Sequence, residues 1–458
     1  MQDRTNPANT FKILFNQIIK GGSRFFGNNI RQNKKYKNST QISILAKKNA
    51  LSLQSFFKNL GPGPLIAAAF IGPGTVTVCT LAGANFGFSL IWAMVLSIVA
   101  TVILQELSGR IGIVTGSDLS SLLRNQTGKP VFRVFSMILV LMAIVLGNAA
   151  YESGNISGAN LGLAFYWEAP TFNFGSIELQ MGNFLLGLLS FILLWTGSYK
   201  TLERILVALV ILMSIAFIIT ALLTKPDLSE LLKGFVPTWN EAEISTLVAL
   251  IGTTVVPYNL FLYASLVNKR WTKESDIPFM RRDITIAVVL GGVVSMAILV
   301  VGASNTSSEI TSAIDVSKGL ESVFGSFAGY MMGFGLLAAG MTSALTAPLA
   351  AGFVVCGIMG WNQEIKSTPM RITMAVIVGL GLLFSSLGIK PVQLITLAQL
   401  ANGILLPLIS GWIIWIAAQH SVLGKYKNTP LATAIAIFIW LITLVLGLKS
   451  IGMVFGIW

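Results

Sequence analysis

Apolar residues run along this chain in long blocks separated by short polar stretches, and inside the blocks they show no period-two alternation. A run of roughly 20 apolar residues is what an α-helix needs to cross a hydrocarbon layer. About eleven such runs are read, at 62–86, 89–109, 133–158, 182–198, 204–223, 245–266, 284–304, 324–348, 371–389, 392–417 and 430–448. Each predicts a membrane-spanning helix, and the missing alternation excludes an outer-membrane barrel. One irregularity occurs twice. The first block carries "FIGPGTVTV" at 70–78 and the sixth carries "GTTVVPYN" at 252–259, so Gly72-Pro73-Gly74 and Pro257 fall where a spanning helix should be most regular. Non-helical backbone survives at membrane depth only where protein or an aqueous cavity satisfies its polar groups.

Two interruptions five helices apart predict inverted repeats with a binding site between the breaks. The expected organisation is an all-α integral membrane protein with repeat one at about 59–223, repeat two at about 240–417 and an extra helix at about 430–448. Residues 1–58 are read as a separate basic cytoplasmic segment, either amphipathic helices on an anionic membrane face or a basic tail.

Composition agrees. Of 458 residues, 54% are hydrophobic and 11% charged, and the mean hydropathy is +0.76, which excludes a water-soluble globular domain. The net charge of +13 suggests nucleic acid until its distribution is read: residues 1–58 hold eleven Lys and Arg against Asp3 alone. Loops on the same side carry Arg124, Lys129, Lys200, Lys269, Arg281, Arg282, Lys425 and Lys427, and the opposite loops far fewer cations. The charge therefore reports orientation, N-terminus inside and C-terminus outside, in a prokaryotic plasma membrane, with the lipid bilayer as partner and no nucleic acid. Cys79 and Cys356 both lie in apolar runs and suggest no disulfide or metal site. No nucleophile and base pair up, so neither an enzyme nor a cofactor is expected, and a monomer is.

The segments "GPGPLIAAAFIGPGTV", "QELSGRIGIVTGSDL", "LIGTTVVPYNLFLYASLV", "GLLAAGMTSALTAPLAAGFVVCGIMGW" and "LAQLANGILLPL" resemble, in order, the first, second, sixth, eighth and tenth helices of the NRAMP family of proton-coupled divalent-metal transporters. The resemblance covers roughly residues 60–448 and implies the architecture shared with amino-acid and sodium symporters. The family's Asp-Pro-Gly-Asn is here Gly72-Pro73-Gly74-Thr75, and its Ala-x-x-Met-Pro-His is Thr253-Thr254-Val255-Val256-Pro257-Tyr258. Carboxylate, thioether and imidazole are thus all replaced. A helix-10 glutamine of the family's site is kept as Gln399, and a helix-3 acid of its proton route as Glu152.

Transition-metal selection rests on soft sulfur and imidazole ligands, and hard dications usually need carboxylate oxygen. The reading that follows is a small-anion importer with no transition-metal site, bicarbonate favoured, held at the helix N-termini after Gly74 and Pro257. Its candidate substrate residues are Ala69, Gly72, Gly74, Thr75, Thr253, Val256, Tyr258 and Gln399. Glu152 is the acid placed well inside a membrane helix, a candidate proton carrier. By likeness to sodium symporters, Thr342 and Ser343 with the carbonyls near Ala68 and Ala69 form a candidate sodium site, so the coupling ion is Na⁺ or H⁺. The alternatives are a transporter of Mg²⁺ or another hydrated divalent cation, contacted by backbone carbonyls and Gln399, and a non-transporting sensor or scaffold.

Overall fold

The computed structural model describes residues 61–454 apart from 126–129, 175–176, 198–199, 239, 305–319 and 322–323. The basic segment at 1–58 lies outside the described residues. From Gly61 onward the chain forms one compact unit.

The first apolar block folds as two half-helices, α1 (Gly63–Phe70) and α2 (Pro73–Phe86). Then come α3 (Ile91–Thr115), α4 (Pro130–Leu163), α5 (Met181–Thr196) and α6 (Lys200–Leu223). The sixth block is broken like the first, into α7 (Ile244–Thr254) and α8 (Pro257–Arg270). The chain closes with α9 (Ile277–Ala303), α10 (Phe327–Met359), α11 (Thr368–Ser385), α12 (Pro391–Ala417) and α13 (Pro430–Val454). Every expected span coincides with one of these helices or broken pairs. Among the described residues seven spans are long and apolar enough to cross a membrane by themselves; α1 and α2 fall short singly because the break divides them.

Several helices run past their apolar blocks, α10 by a further eleven residues beyond 348, through Pro348 to Met359. Pro407 likewise sits inside α12, and its carbonyl accepts from the Trp440 indole at 2.8 Å, which ties α13 to α12. A feature absent from the sequence reading is an antiparallel hairpin between α4 and α5, β1 (Thr171–Phe174) and β2 (Ile177–Gln180), pairing Thr171 with Gln180 and Phe174 with Ile177.

Helices α10, α11 and α12 pack along α4, and α9 packs along α2 and α3. Small residues permit the closest approach. A Cβ at Gly158 on α4 would run into the Pro73 ring at the start of α2, so the glycine lets α4 seat directly against the first break.

Candidate functional site

The two breaks have the same construction. Ile71 and Gly72 leave the helix with ψ of 62° and −175°; Val255 and Val256 do so with ψ of 75° and 119°. A proline then opens the next half-helix at its first position, Pro73 or Pro257, where the missing N–H costs nothing. Proline also explains the extended residue before it, since its ring excludes the helical region there. Each break thus exposes two kinds of backbone group: orphan N–H groups at the start of α2 and α8, and orphan carbonyls at the end of α1 and α7.

Side chains connect the breaks. Thr75 Oγ1 and Thr253 Oγ1 share a hydrogen bond of 2.8 Å between α2 and α7, and both residues are wholly buried. Ser343 Oγ on α10 donates to the Ala69 carbonyl at 3.3 Å, near the end of α1. A Cβ at Gly72 would lie 2.8 Å from that same Ser343 oxygen. On the far side, α3 backs the second break: Thr101 Oγ1 reaches the Thr254 carbonyl at 3.4 Å, and Ser108 donates to the Leu260 carbonyl.

Tyr258, one residue into α8, stands edge-on to Tyr151 with ring centroids 5.2 Å apart and planes at 72°. Its hydroxyl neighbours Tyr151, Thr346 and Glu152. Glu152 is wholly buried; Oε2 accepts from Asn155 Nδ2 at 3.3 Å and Oε1 has no hydrogen-bond partner. A buried carboxylate with an idle oxygen beside the second break has room to exchange a proton.

The structure therefore brings together Ala69, Gly72, Thr75, Thr253, Tyr258, Ser343 and Glu152, with Gly74 and Val256 buried in the breaks. It does not bring in Thr342, whose hydroxyl donates to Ala338 of its own helix at 2.7 Å, and the Ala68 carbonyl gains no partner hydroxyl from it. Gln399 lies on α12, but its side chain is outside the described residues. Sequence reasoning missed Tyr151 and Thr346; the one signal for Tyr151 was its place next to Glu152. Among the described residues no group of three or more His, Cys, Asp and Glu could hold a metal ion. The side chains that meet at the breaks, Thr75, Thr253 and Ser343, offer neutral oxygens, and the Glu152 carboxylate stands at the edge of the site.

This is the architecture of an integral, multi-pass membrane transporter with inverted repeats. Solved structures align accordingly: the Eremococcus coleocola manganese transporter in complex with an aromatic bis-isothiourea compound superposes with a TM-score of 0.70, 20% identity and 88% of this chain against 87% of that one. MhsT in complex with L-phenylalanine aligns at 0.57 and 17% identity over 85% of this chain and 97% of that one. The chain belongs to the Nramp family, described as natural resistance-associated macrophage protein-like, which matches residues 63–452. Relatives named divalent metal cation transporter MntH include one from Mycobacterium tuberculosis, 24% identical over 91% of this chain and 95% of its own length. Another, from Staphylococcus aureus, is 26% identical over 92% and 98%.

These names overturn the anion reading. Bicarbonate as substrate, and sodium as its coupling ion, conflict with relatives that carry divalent metal cations. The exclusion of transition metals falls with them, since manganese is the cargo named for the solved relative. The physical error is identifiable. Only the half-helix N-termini were counted, about half a positive charge each, whereas α1 and α7 end in the same breaks with about half a negative charge each. Unwound carbonyls and half-helix C-termini are cation ligands in broken-helix transporters.

Proposed function

We propose that the chain is a secondary transporter of divalent metal cations, loading the ion between the two breaks and coupling its movement to protons through Glu152. The observation that carries the reading is the paired break itself: the carbonyl-bearing end of α1 meets the Ser343 hydroxyl and that of α7 reaches Thr75 through Thr253, an oxygen-only donor set. Carbonyl, hydroxyl and water oxygen suit Mg²⁺, Ca²⁺ and Mn²⁺ and disfavour softer ions. With no carboxylate at 72, the ion keeps much of its water, as Mg²⁺ commonly does. Selectivity would then rank Mg²⁺ and Mn²⁺ above Cd²⁺, Zn²⁺ and Cu²⁺.

The relatives' names support the substrate class, and the oxygen-only donors supply the reason for the ranking within it. Inverted repeats at about 59–223 and 240–417 fit the matching breaks, and the distribution of Lys and Arg supports a cytoplasmic N-terminus in a prokaryotic plasma membrane. The test is uptake into proteoliposomes of Mg²⁺, Mn²⁺ and Cd²⁺, read by ion-selective dyes under an inward proton gradient. Saturable Mg²⁺ or Mn²⁺ uptake with luminal acidification is expected; uptake of Cd²⁺ in preference to both would sink the oxygen-only site.

A further inference from the structure

Outside the transport site the structure holds a cavity of about 450 Å³ where the C-terminal part of α3, the start of α9 and the segment leading into α13 converge. Its polar wall sets four cations, Arg110, Arg281, Lys425 and Lys427, against one acid, Glu106. The acid is shared: Arg110 approaches it at 3.1 Å and Arg281 at 2.8 Å. Arg110 is itself buried and also donates to the Tyr426 carbonyl at 2.6 Å and to Asn428 Oδ1. That leaves the other end of the Asn428 amide, Nδ2, with no partner, although the residue is only 5% exposed and lines the cavity. Lys425 pairs with Glu274 at 3.4 Å; Lys427, also exposed, adds to the surplus positive charge.

The opposite wall is apolar, built by Val102, Ile103, Ala432 and Ile435. Beyond it the flank of α13 continues outward with Leu431, Ile435 and Phe438, exposed by 72%, 44% and 63%. An orphan buried donor and a cationic excess ask for an anionic oxygen, and an apolar wall running on along a lipid-facing helix asks for hydrocarbon. One molecule supplies both. The orientation proposed above puts this end of α3 at the cytoplasmic face, where basic pockets between spanning helices receive anionic headgroups.

We propose that this cavity binds the headgroup of an anionic phospholipid, its phosphate facing Arg281, Lys427 and the Asn428 amide and an acyl chain lying along Ile103 and Ile435. Such a lipid would bridge α3, α9 and α13, coupling the extra helix to the elements that back the second break.

Short-chain phosphatidylglycerol, short-chain phosphatidylcholine and inorganic phosphate are each titrated against the detergent-solubilised full chain, with thermal unfolding as readout. Phosphatidylglycerol alone is expected to raise Tm saturably. In Arg281→Ala/Lys427→Ala, whose side chains are both exposed, its titration midpoint should weaken about tenfold or more. A second variant, Ile435→Asn, which adds no charge, should also weaken the lipid's midpoint; an unchanged midpoint there would overturn the acyl-chain placement. Equal stabilisation by phosphate would overturn the lipid in favour of a free anion, and an unchanged midpoint in the double variant would overturn the site.

Discussion

Thr75 and Thr253 satisfy each other across the two helix breaks, oxygen to oxygen at 2.8 Å, with no solvent reaching either. One belongs to the first turn after the first break and the other to the last turn before the second. A cation entering between the breaks therefore exchanges this bond for two bonds to itself or its water. Thr253→Val keeps shape and removes the exchange, leaving a buried Thr75 oxygen short of one partner. A lost hydrogen bond to the ion's water shell is worth about 1 kcal/mol, about fivefold in affinity. The KM for Mg²⁺ uptake should rise by about that factor or more, while Thr253→Ser stays near the parent. Equal KM values for all three would remove these hydroxyls from the ion's path.

By the motif resemblance Gly72 stands where the family's Asp-Pro-Gly-Asn has its aspartate, and Ser343 Oγ lies 2.8 Å from where a Cβ there would be. Restoring the carboxylate would displace that hydroxyl from its bond to the Ala69 carbonyl. Gly72→Asp alone should unfold at lower temperature than the parent, because its Cβ would meet the serine oxygen. Gly72→Asp/Ser343→Ala should recover stability and bind Mn²⁺ at least about tenfold tighter, since a carboxylate adds full charge to a neutral donor set. Isothermal titration of Mn²⁺ and thermal unfolding on the same preparations check both halves; a single variant as stable as the double would mean Ser343 is no obstacle.

Replacing Glu152 is expected to separate binding from coupling. Gln is its isostere, and its amide oxygen can still accept from Asn155, so Glu152→Gln should fold and bind the ion with little change. It cannot take up a proton. Ion-driven acidification of the vesicle lumen should fall to background while uptake down an imposed ion gradient persists. Acidification at the parental rate would place the proton route elsewhere.

What the sequence disclosed and what it hid follow from how far each interaction reaches along the chain. Gly72-Pro73-Gly74 and Pro257 announce the breaks because proline and its preceding residue constrain backbone locally. Glu106 and Arg110 stand four residues apart on α3, a spacing that puts them on one helix face, and they pair at 3.1 Å. The sign of the substrate was misjudged although every residue was in view, because half of the helix dipoles were left out. Ser343 against Gly72, Tyr151 against Tyr258 and Arg110 against Asn428 join residues far apart in the chain, which periodicity cannot pair. The hairpin at 171–180 was lost for another reason: Thr-Phe-Asn-Phe and Ile-Glu-Leu-Gln do alternate, but four residues each are too few for period alone to tell a strand from a loop between two spans.

The strongest such long-range tie holds the first half-helix. Asp283 on α9 accepts from the Gly61 and Gly63 amides at 2.9 and 2.8 Å, one carboxylate oxygen for each. The residue capping α1 in sequence, Pro62, has no side chain able to do this, so a carboxylate 220 positions away satisfies N–H groups that α1 would otherwise leave orphaned. It also sets a negative charge at the positive end of the helix. An eight-residue helix has little stability of its own, so the cap fixes where α1 ends and therefore where the Ala69 carbonyl stands at the break. Asp283→Asn keeps one acceptor and loses the charge; Asp283→Ala loses both bonds. Thermal unfolding should order the parent above Asn and Asn above Ala, with the alanine variant destabilised by roughly 2–4 kcal/mol. Ion affinity should weaken in the same order, because the lost cap loosens α1 from its N-terminal end and with it the break. An alanine variant that unfolds at the parental temperature and binds Mg²⁺ as tightly would show that packing against α9, α10 and α8 holds α1 without the cap.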